Sequence, residues 1–367
     1  MSGTPRRLRQ RLAGVAPADE GAPAAAGPES RRLRGPHVTE VARELVEKLR
    51  HHAEAYTRYK VLVHVVGQDT DSREARILRE EVKETTLVRT LLAERGPDGQ
   101  IPLHPYDKWR GAHWVLACLA DLGYPPGEAD LLPLRDQVCG WLFSPQHQQG
   151  FRSRVVEGRV RWHASMEGNA LYALLALGLA DQRVDELAAR LLAWQWPDGG
   201  WNCDLRPQAN HSSFTESLLP LRGLIYHHRH TGSPASRAAA ERAAEVFLER
   251  RLFRRRSDGQ VIRPDFALLH YPCYWHYDVL FGLKVMAELG AIGDPRCQEA
   301  LDLLQSKQLP DAGFPAEGKH YQVGRGPASG ASLVDWGGVS RRKHNEFVTA
   351  DAFGVLTAAG RMRASLR

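Results

Sequence analysis

The chain is predicted to be all-α: a toroid of about five to six helical hairpins, with an inner and an outer ring of helices. Three observations carry this. A short turn recurs at Pro97-Asp98-Gly99, Gln149-Gly150-Phe151, Pro197-Asp198-Gly199-Gly200-Trp201, Asp258-Gly259 and Pro310-Asp311-Ala312-Gly313-Phe314, and the steps between Gly99, Gly150, Gly200, Gly259 and Gly313 are 51, 50, 59 and 54 residues. A repeat of this length marks an array of supersecondary units. A second glycine, Gly123, Gly178, Gly232, Gly290 and Gly360, follows an apolar run in each period, where the residue after a helix takes the left-handed conformation. Two kinds of helix alternate between these marks, one apolar all round and one amphipathic.

The inner helices are expected at about 108–122, 164–177, 212–230, 275–289 and 345–359, and the outer ones at about 128–142, 183–195, 234–252 and 295–307. Asn169 to Leu177 typifies the first kind, a run of small and apolar residues. Arg237 to Arg251 typifies the second, with its arginines and glutamates. A further pair at about 39–66 and 72–95 precedes the first turn, which makes six inner and five outer helices. β-Branched alternation and Asn-Gly hairpins are lacking, which excludes an α/β class. Residues 1–36 read as a disordered Ala/Pro/Arg-rich tail, 37–367 as one domain, and 315–344 as an inserted Gly-rich loop. Lys319, Arg325, Arg341, Arg342 and Lys343 equip that loop to meet a diphosphate or another anion, or it is an exposed excursion.

Composition narrows the function classes. The net charge is +6, of which the tail, with seven arginines and three acids, holds +4 and the body +2. The body has no basic stripe, so nucleic acid is not an expected partner; peripheral contact with anionic lipid through the tail is open. No stretch approaches the roughly 20 apolar residues of a membrane span. No signal-peptide core is seen, and a cytoplasmic location is the default expectation. The five cysteines are odd in number and widely spaced, which argues against a disulfide framework or a zinc knuckle.

The predicted N-terminal ends of inner helices carry His and acid together: His163 with Glu167, His211 with Glu216, His276 with Asp278, and His344 with Glu346. In a toroid those ends share one mouth of the cavity. The competing explanation is that acids in a first helical turn serve the helix dipole alone. Asp278, Glu167, Glu216 and His276 are the candidate catalytic residues. His163, His211, Trp201, Trp275, Tyr274, Trp336 and Glu346 are the candidate substrate-binding residues, since aromatic faces suit a carbocation or a sugar ring. Trp194 and Trp196 read as packing. A metal, zinc in particular, is expected either at a His270-x-x-Cys273-x-x-His276 string or at a composite of His211, His276 and Asp278.

Trp194 to Trp201 resembles the Gln-Trp repeat of squalene and terpene cyclases and is similar to the Gly-Gly-Phe turns of protein prenyltransferase β subunits; Gln305 to Phe314 is a weaker copy. The resemblance covers roughly residues 90–360. It implies an α/α toroid with a central cavity for an isoprenoid. The chain departs from the catalytic signatures: Asp69-Thr70-Asp71-Ser72 lacks the last Asp of the cyclase acid motif, and the Asp-Asp-x-x-Asp motif is absent. Tyr274 to Leu283 resembles the segment that carries the prenyltransferase zinc histidine, with His276 in the ligand position, but the family's Asp-x-Cys falls on His211-x-Ser213. Three functions follow: a terpene cyclase- or prenyltransferase-like enzyme acting on a small hydrophobic substrate, a carbohydrate-active barrel with paired carboxylates, and a non-catalytic binding scaffold. Oligomeric state is not readable from these features.

Overall fold

The computed structural model describes residues 36–324 and 329–362. The predicted basic tail, except Pro36, and Arg325 of the Gly-rich loop lie outside the described residues. The described chain is mostly helical, with two ladders of two-residue strands and two isolated bridges among the described residues. None of its helices is long and apolar enough to cross a membrane.

The first predicted helix is two, α1 (Pro36–Arg50) and α2 (Ala55–His64). At the break the Glu54 amide donates to His52 Nδ1 (3.1 Å), and His52 Nε2 pairs with Glu346 at 2.8 Å. No glycine or proline marks the site, so a distant partner fixes it rather than local sequence. The next prediction also divides, into α3 (Arg73–Lys83) and α4 (Thr86–Leu91), each capped by a hydroxyl, Ser72 and Thr85. Such caps are worth about 1 kcal/mol.

The body then follows the predicted alternation. Those predicted as inner are α5 (Ala112–Leu122), α8 (Ala164–Ala176), α10 (Phe214–Thr231), α12 (Val279–Leu289) and α14 (Glu346–Ala358). The outer ones are α6 (Leu132–Leu142), α9 (Gln182–Trp194), α11 (Pro234–Leu248) and α13 (Gln298–Ser306). All five counter-phase glycines have positive φ. Gly123 also makes room for a neighbour: a Cβ there would lie 2.2 Å from the Tyr59 ring of α2.

The turn set is less regular than predicted. Gly150 lies inside an unforeseen helix, α7 (Pro145–Arg152), started by the Ser144 cap and Pro145. What requires glycine there is the Trp162 indole, 2.5 Å from a would-be Cβ. In the last turn Ala312, not Gly313, takes the positive φ.

Each outer helix packs on the inner helix before it, and α3 packs on α2. The inner helices touch in series, α5 to α8, α8 to α10, α10 to α12 and α12 to α14, and α14 returns to α2. The α8–α10 contact is the closest. Gly168 lies against the Leu219–Pro220 peptide, and Gly223 lies against the Gly168 carbonyl. Trp201, 1% exposed, fills the turn between α9 and α10 and donates its indole N–H to Leu191 O at 3.0 Å. Burial of such a side chain stabilises by roughly 2–3 kcal/mol.

Candidate active pocket

Between the inner helices lies a pocket with about 630 Å³ of empty space, part of it open to solvent. Its walls are aromatic and apolar: Trp114 and Cys118 from α5, Tyr172 from α8, Leu219 from α10, Leu280 and Phe281 from α12, and Tyr271 to Tyr274 from the segment before α12. Asn169, Asp121, Arg222, Lys284 and Asp351 supply a charged and polar end.

That end is a closed set of ion pairs. Lys60 donates to Asp121 (2.9 Å) and to Asp351 (3.0 Å); Lys284 donates to the same two carboxylates at 2.6 and 3.0 Å. The Tyr271 hydroxyl donates to Asp121 at 2.9 Å. Arg222 lies 3.5 Å from Asp121, forms a two-pronged pair with Glu288 (2.8 and 2.7 Å) and stacks 3.7 Å above the Tyr172 ring. With Tyr172, helices α2, α5, α8, α10 and α14 each give one side chain to this cluster, and α12 gives two, Lys284 and Glu288. Burial alone would raise the Asp121 carboxyl, but Lys284, Lys60 and Arg222 outweigh it and hold it well below the ordinary range. Burial alone would lower the Lys284 ammonium, but Asp121 and Asp351 hold it above its ordinary value. Sequence reading missed these residues. The available signal was charge in an otherwise apolar helix, as with Lys284 and Glu288 in α12, because an unpaired charge is not tolerated in such a place.

Of the predicted catalytic residues only Asp278 lines the pocket. It is fully buried and its carboxylate is occupied. Oδ1 caps α12 by accepting from Phe281 N (2.8 Å), while Oδ2 accepts from His270 N (2.7 Å) and lies 3.2 Å from His270 Nδ1. The carboxylate only accepts, so Nδ1 carries the hydrogen, and Asp278 fixes the His270 ring rather than pairing with His276. His276 instead sits in a column of rings, Trp275–His276–His320–His270, with centroid separations of 3.9, 3.6 and 4.3 Å. Burial pushes His276 down to about 4, and burial together with His276 pushes His320 down to about 3.

Glu167 does not pair with His163 as predicted. It is fully buried against His147 (2.7 Å), a residue of the unforeseen α7. His163 pairs with Glu216 instead (2.9 Å), displacing His211 from that role. His211 is exposed in the turn before α10, where its carbonyl accepts from Asn202 Nδ2. His344 pairs with Asp311 (2.6 Å), and Glu346 with His52 and with the Tyr56 hydroxyl (3.0 Å). Tyr274 lines the pocket and stacks on Trp109 at 3.9 Å. Trp201, Trp275 and Trp336 do not line it; Trp336 packs edge-on to Tyr271 and Phe347.

Neither predicted metal set is assembled: among the described residues neither brings three ligand atoms within 4.8 Å of one another. In the string, His276 Nδ1 and Cys273 Sγ are spent on backbone carbonyls, those of Cys273 and His270. At the positions implied by prenyltransferases, Ser213 Oγ bonds to Thr215 Oγ1 and His211 is exposed, so the residues there do not fit zinc. The Gly-rich loop is folded inward, with Tyr321, Val334 and Trp336 buried and His320 O accepting from Trp109 Nε1 at 2.7 Å. Its basic residues Arg341, Arg342 and Lys343 are exposed and do not line the pocket.

His113, 1% exposed, accepts from Asn169 Nδ2 (2.9 Å), and burial pushes it down to about 3. An unfolded histidine titrates near 6.5. The unfolded state therefore binds the proton first, and folding stability falls as pH drops from about 6.5 toward 3, by about 1.4 kcal/mol per pH unit for one such group. Urea unfolding of wild type and His113→Gln at pH 7 and pH 5 measures this. The variant is expected to lose part of the pH dependence.

Neither comparison with protein families nor comparison with curated proteins finds a match to this chain.

Proposed function

We propose that the chain is an α/α toroid and an enzyme that acts on a hydrophobic, isoprenoid-like substrate in the central pocket. The helix-to-helix contacts that run from α5 through α14 to α2, with the Lys60–Asp121 pair joining α2 back to α5, support the toroid. The observation that carries the function is an aromatic-walled pocket with a fixed, buried His270–Asp278 pair in its wall. Aromatic faces stabilise a developing carbocation by cation–π attraction. The imidazole of His270 is the proton-transfer group, and Asp278 orients it by accepting from Nδ1. Aromatic and apolar walls favour this reading over a polysaccharide cleft.

The charged end narrows the substrate further. Three cations, Lys60, Lys284 and Arg222, face three carboxylates, Asp121, Asp351 and Glu288. Among the described residues at this end no positive charge is left over to hold a diphosphate, so a neutral polyene is the expected substrate class and protonation the expected first step.

The test is binding and turnover of a neutral polyene such as squalene beside prenyl diphosphates, read by Trp114-sensitive fluorescence and product analysis. Neutral polyenes should bind and diphosphates should not. Cys118→Trp, which fills the pocket, should abolish binding, and His270→Ala should abolish turnover with binding kept. If the folded wild type binds neither class, or turns over diphosphates alone, this reading is wrong.

A further inference from the structure

Away from the pocket wall, one imidazole, one thiol and one carboxylate converge. Ligand atoms of His163, Cys203 and Glu216 all lie within 4.8 Å of one another. Each arrives from a different element. His163 ends the segment leading into α8, Glu216 lies in the first turn of α10, and Cys203 follows the Gly199-Gly200-Trp201 turn.

The surroundings hold these elements in place. Arg161, fully buried and two residues before His163, donates through Nη1 to the carbonyls of Asp204 (2.7 Å), Arg206 (2.9 Å) and Ala209 (2.9 Å). The segment bearing His163 is thus clamped to the loop bearing Cys203. Trp196 Nε1 adds a bond to Val160 O at 3.0 Å. Ser217 Oγ accepts from Trp201 N at 3.0 Å, which ties the Cys203 turn to α10. Glu216 Oε2 accepts from Ser165 N at 3.2 Å, while Oε1 faces His163 Nδ1. Outer bonds that orient ligands in this way are the usual support of a metal centre.

We infer that His163, Cys203 and Glu216 bind a divalent transition metal, with zinc the ion that best suits this mixed donor set. Three protein ligands and one open position are the arrangement of reactive rather than purely structural zinc sites. His163 is half-exposed, so the open position is reachable by water or by an oxygen or sulfur atom of a substrate. Without a cation the thiol stays protonated, because burial and the Glu216 carboxylate push Cys203 up to about 12. A bound metal reverses this and deprotonates the thiol, so binding releases a proton and weakens as pH falls. Tyr106 packs against the pocket wall. Its hydroxyl is raised by burial and by Glu216, Cys203 and Glu167, and its ring packs 5.1 Å from pocket-lining Trp114.

The experiment uses the full chain, stripped with a chelator and titrated with Co²⁺ and then Zn²⁺, so it needs no substrate and is independent of the function proposed for the pocket. One equivalent of Co²⁺ should give a thiolate-to-cobalt charge-transfer band, be displaced by Zn²⁺, and release protons in weak buffer. Cys203→Ser should abolish the band, and its Zn²⁺ affinity should fall by at least about 100-fold, the upper range for losing even a supporting contact. Cys273→Ser should keep both. His163→Ala, checked for folding by circular dichroism, should weaken binding independently. No stoichiometric metal on the folded wild type, or a charge-transfer band that survives Cys203→Ser, overturns the assignment and leaves the three residues a hydrogen-bonded cluster.

Discussion

Lys284→Met should lower the free energy of unfolding by about 3–5 kcal/mol, the cost of leaving buried charges without a partner. Lys284 touches both Asp121 and Asp351, and Asp351 is 8% exposed. With the ammonium gone, two carboxylates share Lys60 and a longer contact to Arg222. Urea unfolding at pH 7 measures the loss. The double variant Lys284→Met/Asp351→Leu should recover much of it, because removing both charges also removes their desolvation cost. An exposed pair provides the contrast: Arg237→Ala, which breaks the surface bridge to Glu241, should change stability by about 0–1 kcal/mol. The same cluster sets the acid limit of the fold. Asp121 and Asp351 titrate below the unfolded carboxylate value of about 3.9. Their stabilisation is therefore complete above about pH 4 and is lost as pH falls further, through the depressed folded values.

Gly168→Ala should be the second most damaging change for its size. On a helix alone the substitution would stabilise by about 1 kcal/mol. Here the new Cβ would lie 2.3 Å from Pro220 N and 2.5 Å from Leu219 C, which are backbone atoms that cannot rotate away. Helices α8 and α10 must part, at about 1–3 kcal/mol or more for overpacking. Gly168→Leu should prevent stable folding altogether. Chemical denaturation of the alanine variant decides the sign. A variant as stable as wild type would mean that the helices separate at no cost.

The repeat and the two helix types were legible because each leaves a local trace. Turn residues punctuate the chain, and the apolar pattern of α8 differs from the amphipathic pattern of α9. Element ends decided by remote contacts left none. The break between α1 and α2 depends on Glu346, almost three hundred residues away, and α7 was hidden because Gly150 mimicked a turn. The pairing of histidines with acids was half legible. His163 and Glu216 were singled out, but their pairing was not, since helix spacing suggested partners four or five residues apart while the fold chose neighbours from adjacent hairpins. Cys203 was passed over as one of five scattered cysteines. His270 was read only as part of a metal string, and its partner Asp278 was assigned to His276 on proximity in sequence. The nearest bonded partners of Lys60, Asp121, Arg222, Lys284 and Asp351 within this cluster lie 61, 61, 66, 67 and 67 positions away, so spacing could not reveal their meeting.

The return of α14 to α2 also governs how the chain reaches its folded state. Bonds such as Lys60–Asp351 and Tyr56–Glu346 join residues about 290 apart. A linear solenoid can nucleate anywhere and lose terminal units one at a time. Here the terminal hairpins are each other's neighbours, so the polypeptide must be made through α14 before Lys60 meets its second carboxylate. Contacts of such long range are slow to form. Joining α14 to α2 is thus a late event of folding, and chains that end before α14 lack the partners that Lys60 and Tyr56 find on that helix.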